Sequence, residues 1–438
     1  MVSPEAAPFA KTGGLADVLG SLPQALRRRG DEAAVVLPRY AQVPLDGARR
    51  IYNDLRIQLG ASSYAADIYS VQHDGVPFFL VENAALFHRE TFYGPGGEDY
   101  PDNHIRFAVF CHAALGVIRW IFRPDVVHCH DWQAALAPVY MRRRFATDPT
   151  FMGIRTLFTI HNLGYPGLFP KEVLPAIGLD QGVFTPDLME FWGKVNFLKG
   201  GIVFSDAIST VSEGYAREIQ TPELGFGLDG LLRARAGVLH GILNGVDYRE
   251  WSPETDRFIA RNYSAADLSG KQVCKRALLE EFGLPSGDLD RPVIGIVSRF
   301  TAQKGFDLIA GIAAQLAAED LYLVALGAGD TAYEELFREL AAAHPQRIAV
   351  RVAYDNQLAH RIEAGSDMFL MPSRYEPCGL NQMYSLRYGT VPIVRATGGL
   401  DDTIEETTGF KFSGYTGEAL LGAVRQALAT WRDRQAWR

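Results

Sequence analysis

Short apolar runs rich in β-branched residues alternate with helix-length segments along almost the whole chain. This alternation narrows the fold more than any other feature of the sequence. Runs at 33–37, 76–81, 125–129, 156–160, 207–211 and 238–243 form one series. Runs at 293–297, 321–326, 348–352, 368–371 and 391–394 form a second. They are apolar at consecutive positions, as strands covered on both faces are, and such strands belong to parallel sheets flanked by helices. Helix-length stretches lie between them, at 103–121 and 304–318 among others. The pattern predicts an α/β, doubly wound architecture. It breaks at 245–254, where turn residues accumulate. The reading is two Rossmann-like domains, 1–245 and 254–438, joined by a linker at 246–253. Two such halves predict a ligand cleft between them, at the carboxyl ends of the strands.

Composition removes several alternatives. Of 438 residues, 47% are hydrophobic and 21% charged, which excludes a disordered or collagen-like chain. Lys plus Arg is 43 and Asp plus Glu is 51, so the net charge of −8 disfavours non-specific nucleic-acid binding. The longest apolar runs are strand-sized, short of the roughly 18 residues a membrane helix needs. The first residues show no basic stretch followed by an apolar one. The cysteines, Cys111, Cys129, Cys274 and Cys378, form no CxxC pair and are too scattered for a disulfide framework. A cytoplasmic protein with no nucleic-acid or membrane partner is expected.

Five places could carry chemistry. The first is Lys11-Thr12-Gly13-Gly14-Leu15, just before an amphipathic run to Arg29. Two glycines at a helix start let backbone amides approach an anion, and Lys11 adds a charge, which suggests diphosphate binding. A flexible loop with a solvated lysine is the plainer alternative. The second is the segment 298–305, after the strand 293–297, with Arg299 and Lys304 across the loop that opens the next helix. Two cations at a strand's carboxyl end suit a leaving diphosphate; a surface salt bridge is the alternative. The third is Glu376-Pro377-Cys378-Gly379-Leu380, a turn that is expected to point a carboxylate toward the cleft, where it could meet sugar hydroxyls or support a cationic sugar transition state. A Glu-Pro turn is often only a turn, and Cys378 reads as a small buried residue.

The fourth pairs His128-Cys129-His130-Asp131 with Thr159-Ile160-His161-Asn162, two strand ends finishing in polar residues. His-x-His puts two imidazoles on one strand face, as some zinc sites do, but His161 is the only obvious further ligand. Asp131 and His161 are placed better to meet sugar hydroxyls. The fifth is Gly327-Ala328-Gly329-Asp330-Thr331-Ala332, which formally matches GxGxxA, with Asp355 after the next strand. That is the best argument for a nicotinamide enzyme. It leaves Arg299 and Lys304 unexplained, so the glycines read as a tight turn. The Gly/Pro-rich loop 94–102 is long enough to add to a substrate site.

With these motifs in this order, and with Ile242-Leu243-Asn244-Gly245-Val246-Asp247 and Thr397-Gly398-Gly399-Leu400, the chain resembles bacterial glycogen synthases and plant starch synthases over nearly its whole length. These are retaining glucosyltransferases of the two-Rossmann, GT-B type. The resemblance implies transfer of glucose from ADP-glucose to the 4-hydroxyl at the non-reducing end of an α-1,4-glucan, with no metal and no other cofactor. It places Lys11, Gly13 and Gly14 near the donor diphosphate and glucose, and Arg299 and Lys304 on the departing diphosphate. Glu376, with the backbone of Cys378, Gly379 and Leu380, meets the donor glucose, and His161 lies by the same sugar. Asp131 and Asn244 fall to the acceptor side, and Tyr354 to the adenine. Catalysis is then expected from Glu376, His161, Arg299, Lys304 and Asp131. A relative using another donor or a short acceptor, and an inactive glucan-binding homologue, are the alternatives. Only Met1-Val2 precede Ser3, where the family has a whole strand, and the last helix is short. The fold is therefore expected to lack its first strand and final helix, leaving a groove of unpaired backbone groups.

Overall fold

The computed structural model describes residues 1–95 and 98–437. Packing divides the chain into two compact units, Met1–Val211 with Ala216–Ile242, and Ser212–Tyr215 with Leu243–Arg438. The first unit holds β1 (Val35–Pro38), β2 (Arg49–Leu59), β3 (Ser62–His73), β4 (Val76–Glu82), β5 (Val126–His130) and β6 (Arg155–Ile160). The short strands β7 (Leu168–Pro170), β8 (Glu190–Phe191) and β9 (Lys194–Asn196) follow, then β10 (Ala207–Thr210) and β11 (Leu239–Gly241).

Its strands form two rows, β1-β4-β3-β2 and β11-β10-β6-β5, and residues 1–3 join them. Val2 lies parallel between Val36 and Cys129. Its amide donates to the His128 carbonyl at 2.8 Å, and its carbonyl accepts from His130 at 3.1 Å. On the other side Ser3 donates to Val36 and Val36 donates to Met1, at 3.1 and 2.8 Å. The backbone at this level of β1 and β5 is therefore paired, which corrects the expected open groove. The helix Asn103–Trp120 is buried along most of its length, as its mainly apolar sequence requires.

The long antiparallel hairpin β2–β3 went unread in the sequence. Its outer strand carries Arg, Asn, Asp and Gln, and its pairing slips between Arg50 and Tyr52 and between Tyr52 and Leu55. It therefore shows neither a continuous apolar run nor a clean alternation.

The second unit holds β12 (Val293–Val297), β13 (Tyr322–Gly327), β14 (Ile348–Val352), β15 (Met368–Met371), β16 (Val391–Arg395) and β17 (Phe410–Phe412). All are parallel, in the order β14-β13-β12-β15-β16-β17. This is the Rossmann order, and it reverses between β12 and β15, where such sheets bind ligands. One face is covered by the helix Gly417–Arg432 through Leu420, Val424 and Leu428. The other is covered by Leu278, Leu279 and Ile362.

Two expectations change here. The helix expected at 304–318 starts only at Phe306, after Gly305 takes a left-handed φ of 80°, and is broken into Phe306–Gly311 and Ala313–Ala318 where Ile312 leaves helical geometry. The segment expected as a linker at 246–253 packs inside the second unit. Trp251 is sandwiched between His360 and Tyr384, with ring centroids 3.7 and 3.9 Å away.

Candidate active site

In the second unit the chemistry gathers at the reversal between β12 and β15. The loop after β12 carries Lys304, and the loop after β15 carries Glu376. Lys304 Nζ meets both carboxylate oxygens of Glu376, at 2.9 and 2.6 Å. Ser373 Oγ donates to the same carboxylate at 2.9 Å. Glu376 is only 4% exposed. A charge so buried is tolerable because it is paired and hydrogen-bonded. Gly305 makes the approach possible: a Cβ there would sit 2.0 Å from the Pro372 carbonyl oxygen. The two loops therefore touch backbone to backbone, and only glycine fits between them.

The turn after Glu376 is built the same way. Gly379 has a φ of 70°, and the Leu380 carbonyl accepts from Met383 and Tyr384 to open the helix Asn381–Tyr388. Gly399 donates to the Glu376 carbonyl at 3.1 Å, and a Cβ on it would lie 2.2 Å from the Cys378 carbonyl oxygen. The Cys378 thiol is buried and pushed up to about 12, with the backbone and side chain of Asn244 hydrogen-bonded to it. It is a neutral thiol at physiological pH. Asn244 thus braces the turn, a contact the acceptor assignment did not foresee. Arg299 is exposed on the same loop as Lys304, and Tyr354 is 75% exposed after β14.

The GxGxxA segment has a structural explanation. A Cβ on Gly327 would lie 1.8 Å from the Ser298 carbonyl oxygen, and one on Gly329 would lie 2.3 Å from that of Phe300. The glycines let the Arg299 loop lie against the end of β13. Asp355 accepts from the Leu358 amide at 3.0 Å and caps the helix Asn356–Gly365.

In the first unit, Gly13 caps the helix Gly14–Arg28 in an extended conformation, and both glycines are exposed. Lys11 Nζ contacts Asp17 Oδ1 at 2.6 Å. The turn is held from beneath by Glu5, which accepts from the Thr12 amide at 2.5 Å, Thr12 Oγ1 at 2.6 Å and the Tyr93 hydroxyl at 2.6 Å. Burial pushes the Glu5 carboxyl up, against those bonds. Thr12 lies in the motif, but its partner Glu5, and Tyr93 beside it, have no place in the sequence reading. The one available signal was a lone carboxylate among alanines beside a Gly-Gly turn. Of the loop 94–102, Gly96 and Gly97 lie outside the described residues; Asn103 Nδ2 ties the rest down through Tyr93 O and Asp99 Oδ1, at 2.9 and 3.1 Å.

The ends of β5 and β6 bring Asp131 and His161 together. The His161 amide donates to Asp131 Oδ1 at 2.7 Å. His161 Nε2 lies 3.0 Å from His130 Nδ1, and His128 Nε2 lies 2.6 Å from Thr159 Oγ1. Burial pushes His161 and His128 down to about 3, so both rings are neutral at physiological pH. Asp131 is pushed up to about 7 by burial, opposed by the amides of His161 and Asn162. Its φ of 56° is rare outside glycine, and such strain is held where the surroundings enforce it. Among the described residues no three His, Cys, Asp or Glu side chains group to hold a metal ion.

The family described as starch synthase catalytic domain matches residues 1–234, and glycosyl transferases group 1 matches residues 285–438. The chain belongs to the starch synthase family. It is 54% identical to a glycogen synthase from Koribacter versatilis over 441 residues, 99% of this chain and 91% of that protein. A glycogen synthase from Anaeromyxobacter dehalogenans is 51% identical over 445 residues, covering 100% of this chain and 92% of the relative. The catalytic domain of starch synthase IV from Arabidopsis thaliana, solved with ADP and acarbose, superposes with a TM-score of 0.92 at 33% identity. That match covers 100% of this chain and 92% of the other. The chain is thus a glycosyltransferase of the glycogen synthase kind, with two Rossmann-like domains. Among the described residues no helix is long and apolar enough to cross a membrane.

Proposed function

We propose that the chain transfers glucose from ADP-glucose to the non-reducing 4-hydroxyl of an α-1,4-glucan, keeping the anomeric configuration. The observation that carries this reading is the part-buried Lys304–Glu376 pair at the strand-order reversal of the second unit. A cation and a carboxylate fixed side by side suit a reaction that separates charge. The bond between the anomeric carbon and the phosphate oxygen breaks, Lys304 and Arg299 take the growing negative charge, and Glu376 faces the cationic sugar. Tyr354 takes the adenine, and the turn 378–380 takes the glucose hydroxyls.

In the first unit Asp131 and His161 bind glucan and sugar hydroxyls, and Lys11 with the Gly13–Gly14 turn takes anionic oxygen. Attack occurs from the face the diphosphate leaves. The acceptor oxygen bonds to the anomeric carbon, and its proton passes to the departing phosphate oxygen. Trapping of a covalent glucosyl adduct on Glu376 would overturn this path. No metal is needed, because the two cations already balance the diphosphate; loss of activity on chelation would count against that. The cytoplasm is the proposed setting, supported by four buried free thiols.

The test is incorporation of labelled glucose into glycogen from ADP-glucose and from UDP-glucose. Preference for ADP-glucose, abolished in Lys304→Ala and Glu376→Ala, supports the reading. Preference for UDP-glucose reassigns the donor. Unchanged activity in both variants removes the site assignment, and no incorporation from either donor favours an inactive glucan-binding homologue.

A further inference from the structure

The hairpin β8–β9 ends in an arrangement that catalysis does not explain. Phe191 pairs with Lys194, so Trp192 and Gly193 form a two-residue turn. Both have positive φ, 51° and 80°. Such a turn favours Asn-Gly, and a tryptophan at its first position is held in a conformation bulky residues avoid. Packing offers little in return, because Trp192 is 84% exposed.

A second turn of the same kind lies against it. Phe226 has a φ of 49° and is 42% exposed, and Gly227 follows with a φ of 80°. A Cβ on Gly227 would come within 3.0 Å of the Phe191 ring and 3.4 Å of Trp192 Nε1. The indole therefore rests by one edge on the second turn while the rest stays open to solvent. The ring of Phe191 stands nearly perpendicular to the indole, at 76°. Two aromatic-glycine turns thus support each other and present Trp192 and Phe226 outward. None of the residues assigned to donor or acceptor lies on either turn.

We infer that Trp192, flanked by Phe226, is a docking site for a stretch of α-1,4-glucan away from its reacting end. This rests on the glucan-acceptor reading above. The apolar C–H face of a pyranose packs on an indole as other flat groups do, and the ligand is neutral, so no counter-charge is required. A polymer acceptor has many sugars beyond the reacting one, and a platform fixed by backbone strain loses little entropy on binding them.

The test uses the full chain and commercial glycogen. Affinity electrophoresis without donor gives the glycogen Kd, and turnover is measured on maltotriose, too short to span further subsites. Trp192→Ala is expected to weaken glycogen binding about tenfold, equivalent to about 1.4 kcal/mol, and Trp192→Phe to weaken it less. Turnover on maltotriose is expected to stay within about twofold, because neither turn carries a residue assigned to the reaction. Glycogen binding unchanged in both variants overturns the inference. So does a change in sedimentation with glycogen affinity preserved, which would make the tip a contact with a second copy of the chain. Because binding is read without donor, failure to use ADP-glucose shows separately and leaves this result standing.

Discussion

Replacing Lys304 with methionine tests stability and catalysis at once. In the folded chain the Glu376 side chain is 6% exposed and that of Lys304 20%. Removing the cation leaves Glu376 with the Ser373 hydroxyl as its remaining described partner. Stripping one partner from a fully buried pair costs about 3–5 kcal/mol. Lys304 is partly open to water, which readmits solvent and lowers the expected loss to about 2–3 kcal/mol. Adding Glu376→Gln removes the stranded charge at nearly constant volume, so the double variant should recover most of that loss. Activity should not recover. A preorganised cation aimed at developing charge contributes about 10²–10³ in kcat, and neutral side chains supply none. Urea unfolding of both singles and the double gives the coupling energy, and steady-state rates with ADP-glucose give the catalytic term. If Lys304→Met unfolds within about 0.5 kcal/mol of the parent, the pair is not the part-buried contact described. If the double variant keeps its rate within about tenfold, Lys304 does not carry the leaving charge.

Three further outcomes follow from the same geometry. Asp131 is pushed up to about 7 from 3.8, so the folded chain holds a proton that the unfolded chain has lost between those values. Its contribution to stability therefore declines as pH rises through that window, and melting curves should show Asp131→Asn gaining on the parent between pH 5 and pH 8, while glucan transfer falls. Gly305→Ala combines a φ of 80° with a Cβ 2.0 Å from a carbonyl oxygen; denaturant unfolding should show a loss of about 3 kcal/mol and assays a drop in activity, because the Lys304 loop must move. Trp251→Ala should cost about 3–5 kcal/mol by the same unfolding assay, whereas a free linker would tolerate it.

Much of the second unit was legible because its strands are covered on both faces. Val293–Val297, Ile348–Val352 and Met368–Met371 stand where their apolar runs placed them. Periodicity failed where one face meets water, as in β2 and β3, and where one residue breaks a helix, as at Ile312. The loops bearing Arg299, Lys304 and Glu376 could be placed because each follows such a strand. Their partners could not. Glu5 finds Tyr93 across 88 positions, and Lys304 finds Glu376 across 72, and no local pattern encodes pairings set by strand order. Asn244 lay in a recognisable motif, yet its contact with Cys378 depends on where two distant turns come to rest. Trp251 reads as linker in the sequence because turn residues surround it, while its stacking partners lie more than a hundred residues on.

The central claim is tested most directly by proton NMR of a maltoheptaose reaction supplied with ADP-glucose. New α-1,4 anomeric signal growing in step with released ADP is the predicted result. Donor consumption with a β-linked product, or with free glucose and no lengthening of the chain, would contradict it.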